Sequence, residues 1–113
     1  MIQRGDIRWF RFSSPDKRRP VLVLGREDIL SSLSQIPVIP LSTQERSLPW
    51  EVVLTTEEGL PSLCVLKPEW MRSVERSFLG PWIAAFPANR WPEVRTAVLG
   101  VLGLDAREMS GAP

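Results

Sequence analysis

The chain has 113 residues, 43% of them hydrophobic and 24% charged, with a formal net charge of +1; that suits one globular domain able to bury a core without staples. It carries no histidine, no tyrosine and one cysteine, Cys64. Ser-His-Asp and Cys-His catalytic sets, a clustered Cys/His zinc site and a disulfide framework are therefore excluded. No apolar run approaches the roughly 20 residues of a membrane span, and Met1-Ile2-Gln3-Arg4-Gly5-Asp6 has no apolar signal region, so a cytoplasmic, membrane-free protein without metal or cofactor is expected.

Arg4-Gly5-Asp6 reads as a turn into a first strand, Ile7 to Phe12. Ile7 and Trp9 share one face and Arg8 the other, but Phe10 and Phe12 fall on the basic face, so the alternation is impure. Ser13 to Lys17 is a short polar turn. Lys17-Arg18-Arg19 then stand before Pro20 and the run Val21-Leu22-Val23-Leu24. That run suits a buried strand over Val21 to Gly25. Pro20, unable to donate to a ladder, is expected at its first position. The residue before a proline is extended, which sets Arg19 at the mouth of a core strand. There it either meets a phosphate or belongs to a solvated turn that keeps a sheet edge soluble. Six of the 14 cations lie in the first 19 residues, and 12 of the 14 are arginine; this leans toward nucleic acid or an acidic protein partner.

Arg26 to Ser34 reads as one helical turn or a loop. Ile36-Pro37-Val38-Ile39-Pro40-Leu41 is a third apolar run, and its two prolines mark an edge or irregular strand. A polar loop from Ser42 to Ser47 leads into a fourth strand, Trp50 to Leu54. After a turn containing Gly59, Ser62 to Leu66 forms a fifth, with Cys64 as a small core residue rather than a nucleophile. Lys67-Pro68 breaks it, and Glu69 to Val74 resumes as a sixth. Gly80-Pro81 precedes a short extended piece, Trp82 to Phe86. The last element is a helix with Asn89 as N-cap and Pro92 at the third helical position. Val94, Ala97, Val98, Val101 and Leu102 form its buried face, and it ends near Gly103. The fold expected is a small, mostly antiparallel curved sheet closed by a C-terminal helix. It spans a single domain over 1–104, with a short polar tail, 105–113, expected to be disordered.

Four segments, in order and at compatible spacing, resemble the MazF/PemK (Kid) toxins of bacterial toxin–antitoxin pairs. These are Arg4-Gly5-Asp6-Ile7 with Trp9; Arg19-Pro20-Val21-Leu22-Val23-Leu24; Val38 to Gln44 with Pro49-Trp50-Glu51-Val52-Val53-Leu54; and Arg72 to Gly80 with the helix through Leu99-Gly100-Val101-Leu102-Gly103-Leu104. The resemblance implies an SH3-like barrel, a homodimer, and metal-independent, sequence-selective cleavage of single-stranded RNA. It also implies a cognate antitoxin whose tail covers the RNA groove, with DNA met only through the antitoxin complex. It carries the catalytic pair onto Arg19 and Ser42.

RNA cleaves itself when a 2′-hydroxyl attacks the adjacent phosphorus, provided a proton is removed, charge is stabilised and the leaving oxygen is protonated. With no histidine, Arg19 is the natural charge stabiliser. Arginine is a poor base, so the base is a carboxylate or a water. Many relatives carry a longer loop with Gly-Ser-Glu-Gln after the first strand; here Asp16 is the sole carboxylate in that stretch and is taken as the third catalytic residue. Lys17, Arg18, Thr43, Gln44, Trp70 and Arg72 are the expected RNA contacts. Trp70 stands where the family often has glutamine, and Phe78 where it often has arginine. The alternative reading is a nuclease-inactive or CcdB-like barrel that acts by binding an antitoxin–DNA complex or a topoisomerase.

Overall fold

A computed structural model describes residues 1–12, 17–44 and 48–105. Seven strands, β1 (Asp6–Phe12), β2 (Lys17–Val23), β3 (Gln35–Ser42), β4 (Val53–Leu54), β5 (Cys64–Leu66), β6 (Arg72–Glu75) and β7 (Trp82–Ala85), make one sheet. Its order is β4-β5-β3-β2-β1-β7, with β6 also paired to β3, and every pairing is antiparallel. One turn of helix, α1 (Glu27–Leu30), follows β2, and a longer helix, α2 (Trp91–Leu102), ends the fold. The curved antiparallel sheet with its C-terminal helix is the expected architecture.

The central strands feed two cores. Ile7, Leu22, Ile39 and Leu41 join one buried cluster, which α2 covers with Val94 and Ala97. The intervening residues Phe10, Val21, Val23, Ile36 and Val38 join a second cluster with Leu30 and Val74. Successive strand residues point to opposite faces, so a sheet buried on both sides reads as unbroken apolar runs. This accounts for Val21 to Leu24, and for Phe10 on the side of β1 that looked basic.

Three expectations are corrected. Pro20 is not the first residue of its strand; it is the fourth of β2, opposite Trp9 on β1. The Leu24 N–H donates to Pro37 O at 2.9 Å, so by two-residue alternation the nitrogen of Pro20 also faces β3. The β2–β3 pairing stops at Val21 and Pro40. The missing donor therefore lies where the ladder has already opened. β3 is not an edge but the strand on which the sheet is built, with β2 on one side and β5 and β6 in succession on the other. Its prolines are tolerated because their carbonyls still accept, Pro37 from Leu24 and Pro40 from the Lys67 N–H at 2.9 Å. Helix α2 begins at Trp91 after a 3-10 turn at Ala88–Arg90, so Pro92 is its second residue and Arg90, not Asn89, is the cap.

Smaller shifts shorten β4 and β5 and move β6 to Arg72–Glu75. A capping box closes the 3-10 turn at Thr56–Glu58: the Glu57 N–H donates to Thr55 Oγ1, and the Thr55 N–H to Glu58 Oε1. α2 ends as expected at Gly103, which adopts φ 70°. Val98 and Val101 are only half-buried and Leu102 is exposed, so the apolar face outruns the core beneath it. Asp105 apart, the expected tail lies outside the described residues.

Candidate active site

The cleft lies where β2 and β3 part. Continuing their register past Val21 and Pro40 sets Pro20 against Leu41, Arg19 against Ser42, Arg18 against Thr43 and Lys17 against Gln44. These partners are not paired: the β2–β3 ladder ends there, while on the opposite edge of β3 the partner changes from β6 to β5, which takes Leu41 and Ser42 against Leu66 and Val65. The open seam is a cleft of about 320 Å³. All eight of those residues line it, with Trp9, Pro61, Ser62, Cys64 and Trp70 completing the walls. Side chains of both strand faces contribute, as an opened ladder requires.

Arg19 is half-buried and holds its guanidinium 5.4 Å from the centre of the Trp70 ring. Arg18 stacks on Trp9 at 4.5 Å; Trp9 is the diagonal neighbour two residues along the β1 register. Such cation–ring contacts are each worth about 0.5–1 kcal/mol at exposed sites, enough to bias a long side chain into one orientation. Ser42 is only 5% exposed, and its Oγ accepts the Gln44 N–H at 3.2 Å. A hydroxyl that accepts still has its own proton to donate. The Ser42 turn thereby sets the exposed Thr43 and Gln44 at the cleft mouth.

A second lobe of about 300 Å³ adjoins the first and shares Arg19 and Trp70 with it, adding Phe12, Pro40 and Arg72. The Arg72 guanidinium lies 5.5 Å from the Phe12 ring centre. The two lobes make a groove rimmed by Lys17, Arg18, Arg19 and Arg72, with aromatic walls. Among the described residues lining it there is no carboxylate. Asp16, read as catalytic, lies outside the described residues. Among the described residues no group of His, Cys, Asp and Glu could hold a metal ion.

Seven expected site residues thus come together in one cleft, and Arg72 joins through the adjoining lobe. Other cations of the chain do different work. Arg8 bonds Asp6, Gly80 O and Met1 O; Arg4 stacks on Trp91 at 4.0 Å; Arg76 donates to the Leu33 and Leu30 carbonyls. Trp9, Pro61 and Ser62 were not foreseen as cleft walls. For Trp9 the signal was its partnership with Pro20 at the mouth; for the other two the sequence carries none. Cys64 faces the cleft yet is 2% exposed, and burial pushes its thiol up from the ordinary 9.0, which fits a packing role. Lys67 lines neither lobe, lies 5.9 Å from the centre of the Trp70 ring and is 1% exposed; among the described residues its side-chain nitrogen has no hydrogen-bond partner.

A small curved sheet covered by a C-terminal helix, with a cationic, aromatic-walled groove at an opened strand seam, defines the class of the fold as a small barrel. Residues 3–102 match the family model of the PemK-like, MazF-like toxin of type II toxin–antitoxin systems, and the chain belongs to that family. It is 31% identical over 90 residues to the endoribonuclease MazF3 of Mycobacterium tuberculosis, covering 80% of this chain and 87% of that one. Its fold is similar to that of the Mycobacterium tuberculosis toxin MazF-mt6, with a TM-score of 0.80 and 28% identity over 88% of this chain and 98% of the other. It is also similar to a chain of the MazE–MazF crystal structure from Deinococcus radiodurans, with a TM-score of 0.75 and 26% identity over 92% and 98%.

Proposed function

We propose a mechanism for this endoribonuclease toxin in which single-stranded RNA lies along the groove and is cut at the β2–β3 seam. The scissile phosphate sits between Arg19 and Ser42. The 2′-oxygen attacks the adjacent phosphorus, the 5′-oxygen leaves and takes a proton from water at the cleft mouth, and the products are a 2′,3′-cyclic phosphate and a 5′-hydroxyl. Arg19 offers its N–H fork to the non-bridging oxygens as charge builds on them. Ser42 donates its O–H to one of those oxygens. With no histidine in the chain, the proton from the 2′-hydroxyl goes to a carboxylate or a water. Asp16 is assigned this role because it directly precedes the first residue of β2. The reaction needs no metal.

Lys17, Arg18 and Arg72 hold neighbouring phosphates, Thr43 and Gln44 contact the strand at the mouth, and Trp70 offers a ring for a base to stack on. The observation that carries the reading is the register that sets Arg19 against Ser42 where the ladder opens. Relatives solved as MazE–MazF complexes support a cognate antitoxin, which competes for the same cationic groove and brings the toxin to DNA. The exposed Leu102 at the end of α2 supports a homodimer, and the cytoplasm is where the proposed toxin acts. No described helix is long and apolar enough to cross a membrane.

Expression should arrest growth, co-expression of the antitoxin should restore it, and Arg19→Ala should abolish the effect. Purified, chelator-treated protein that leaves diverse single-stranded RNAs intact would contradict the reading. Light scattering should give twice the 12.8 kDa chain mass.

A further inference from the structure

Strands β5 and β6 run along the same side of β3, separated by an excursion. Extending the β5 register by one residue sets Lys67 opposite Pro40; extending the β6 register by two sets Trp70 there. The Pro68–Trp70 turn is therefore looped out of the sheet. Pro68 cannot continue the ladder, which explains why the break falls there. The loop lifts Trp70 to the surface, 38% exposed, and leaves Lys67 beneath it at 1%. Being opposite Pro40, Lys67 shares its sheet face, on the side of Arg19 and the second lobe. Its ammonium is 5.9 Å from the Trp70 ring centre, and Arg19 approaches the same ring at 5.4 Å. Among the described residues no oxygen accepts from it.

A buried charge is normally paired. Among the described residues the Lys67 ammonium meets an indole face and no accepting oxygen, so no anion pairs with it there. The wall it lies behind is shared by the two lobes of a groove whose described rim is cationic and aromatic.

We propose that Lys67 is a concealed phosphate anchor, covered by Trp70 in the free protein and uncovered when the indole turns onto a base of the bound strand. The inference rests on RNA as the substrate. Phosphate is favoured over a protein carboxylate because the same movement gives the indole a base to stack on, whereas an acidic peptide offers it nothing in return.

The probe is a single-stranded oligonucleotide with 2′-deoxy substitution, which binds but cannot be cut. Lys67→Met should bind it about tenfold more weakly, and the slope of log affinity against log salt should be shallower by about 0.7. The same variant should melt at a higher temperature, since an unpartnered ammonium has become an apolar side chain. The wild-type protein gives a second reading, because Lys17 and Lys67 are its only lysines. Carbon-13 labelling of the lysine ε position yields two NMR signals, and the Lys67 signal should move on oligonucleotide addition. Unchanged affinity and slope in Lys67→Met would overturn the anchor, as would a Lys67 signal that moves only with an acidic peptide. Should the wild-type protein itself fail to bind the oligonucleotide, the RNA reading falls and the anchor with it; wild-type binding with an indifferent Lys67→Met removes the anchor alone.

Discussion

At the scale of residues, the proposed chemistry rests on one arginine held by its neighbours. Arg19 has a strand on one side, an opened ladder on the other and an indole at 5.4 Å. Arg19→Ala should lower single-turnover cleavage of a fluorogenic RNA by about 10²–10³-fold, the scale seen when one donor to a developing charge is removed. Arg19→Lys should recover only part of it, since a point charge lacks the fork. Cys64 makes the opposite prediction. Burial holds its thiol above the ordinary 9.0, so at neutral pH it stays protonated. Alkylation of the native protein should be far slower than of the urea-unfolded chain, and RNA cleavage should be unaffected in the meantime.

The arginine before the proline and the serine after the third apolar run were legible in the sequence because each stands at the end of a strand. Their meeting was not, since it depends on the register between two strands. Lys67 was invisible as a buried group. In the sequence it only marks a break before Pro68, and its burial follows from a three-residue loop that no local pattern announces.

At the scale of elements, two contacts fix how α2 and the connecting turns seat against the sheet. A Cβ on Gly100 would come within 2.8 Å of the Trp50 ring. Gly100→Ala should therefore destabilise by about 1–3 kcal/mol in urea unfolding, despite the roughly 1 kcal/mol that alanine ordinarily gains over glycine inside a helix. Equal or greater stability would contradict that packing. The second contact is ionic. Arg90 donates to both oxygens of Glu93 at 2.8 Å and lies 3.9 Å from Glu58. Bonds from the Thr55 backbone and hydroxyl hold Glu58 below its ordinary 4.5, and the Arg90 side chain does the same for Glu93. Carboxylates with lowered values favour the folded state above the ordinary value and lose that contribution as pH falls through the lowered one. The urea midpoint should therefore drop below about pH 4.5. Replacing both residues, Glu58→Gln with Glu93→Gln, should flatten that part of the profile.

At the scale of the whole molecule, one sheet with a core on each face explains both what could be read and what could not. Strand existence was plain, because β-branched runs bounded by Pro, Gly and Ser have few other uses. Strand position was not. Pro37 and Pro40 argued for an edge or irregular strand; β3 is central, and its irregularity lies in partners that change along its length, so no single ladder needs every donor. The seam that becomes the cleft lies where the β2–β3 ladder ends after Pro40 while β3 runs on with β5 at its other edge. Fold and site thus meet there.

The mechanism proposed for this seam is attack by the RNA's own 2′-hydroxyl, with Arg19 as the charge stabiliser. The most direct measurement maps the cuts made in a long single-stranded RNA by purified, chelator-treated protein and identifies the new ends. Discrete cuts ending in 2′,3′-cyclic phosphate and 5′-hydroxyl, lost in Arg19→Ala, are the predicted result. Ends bearing 3′-hydroxyl and 5′-phosphate, or wild-type cutting by Arg19→Ala, would contradict it.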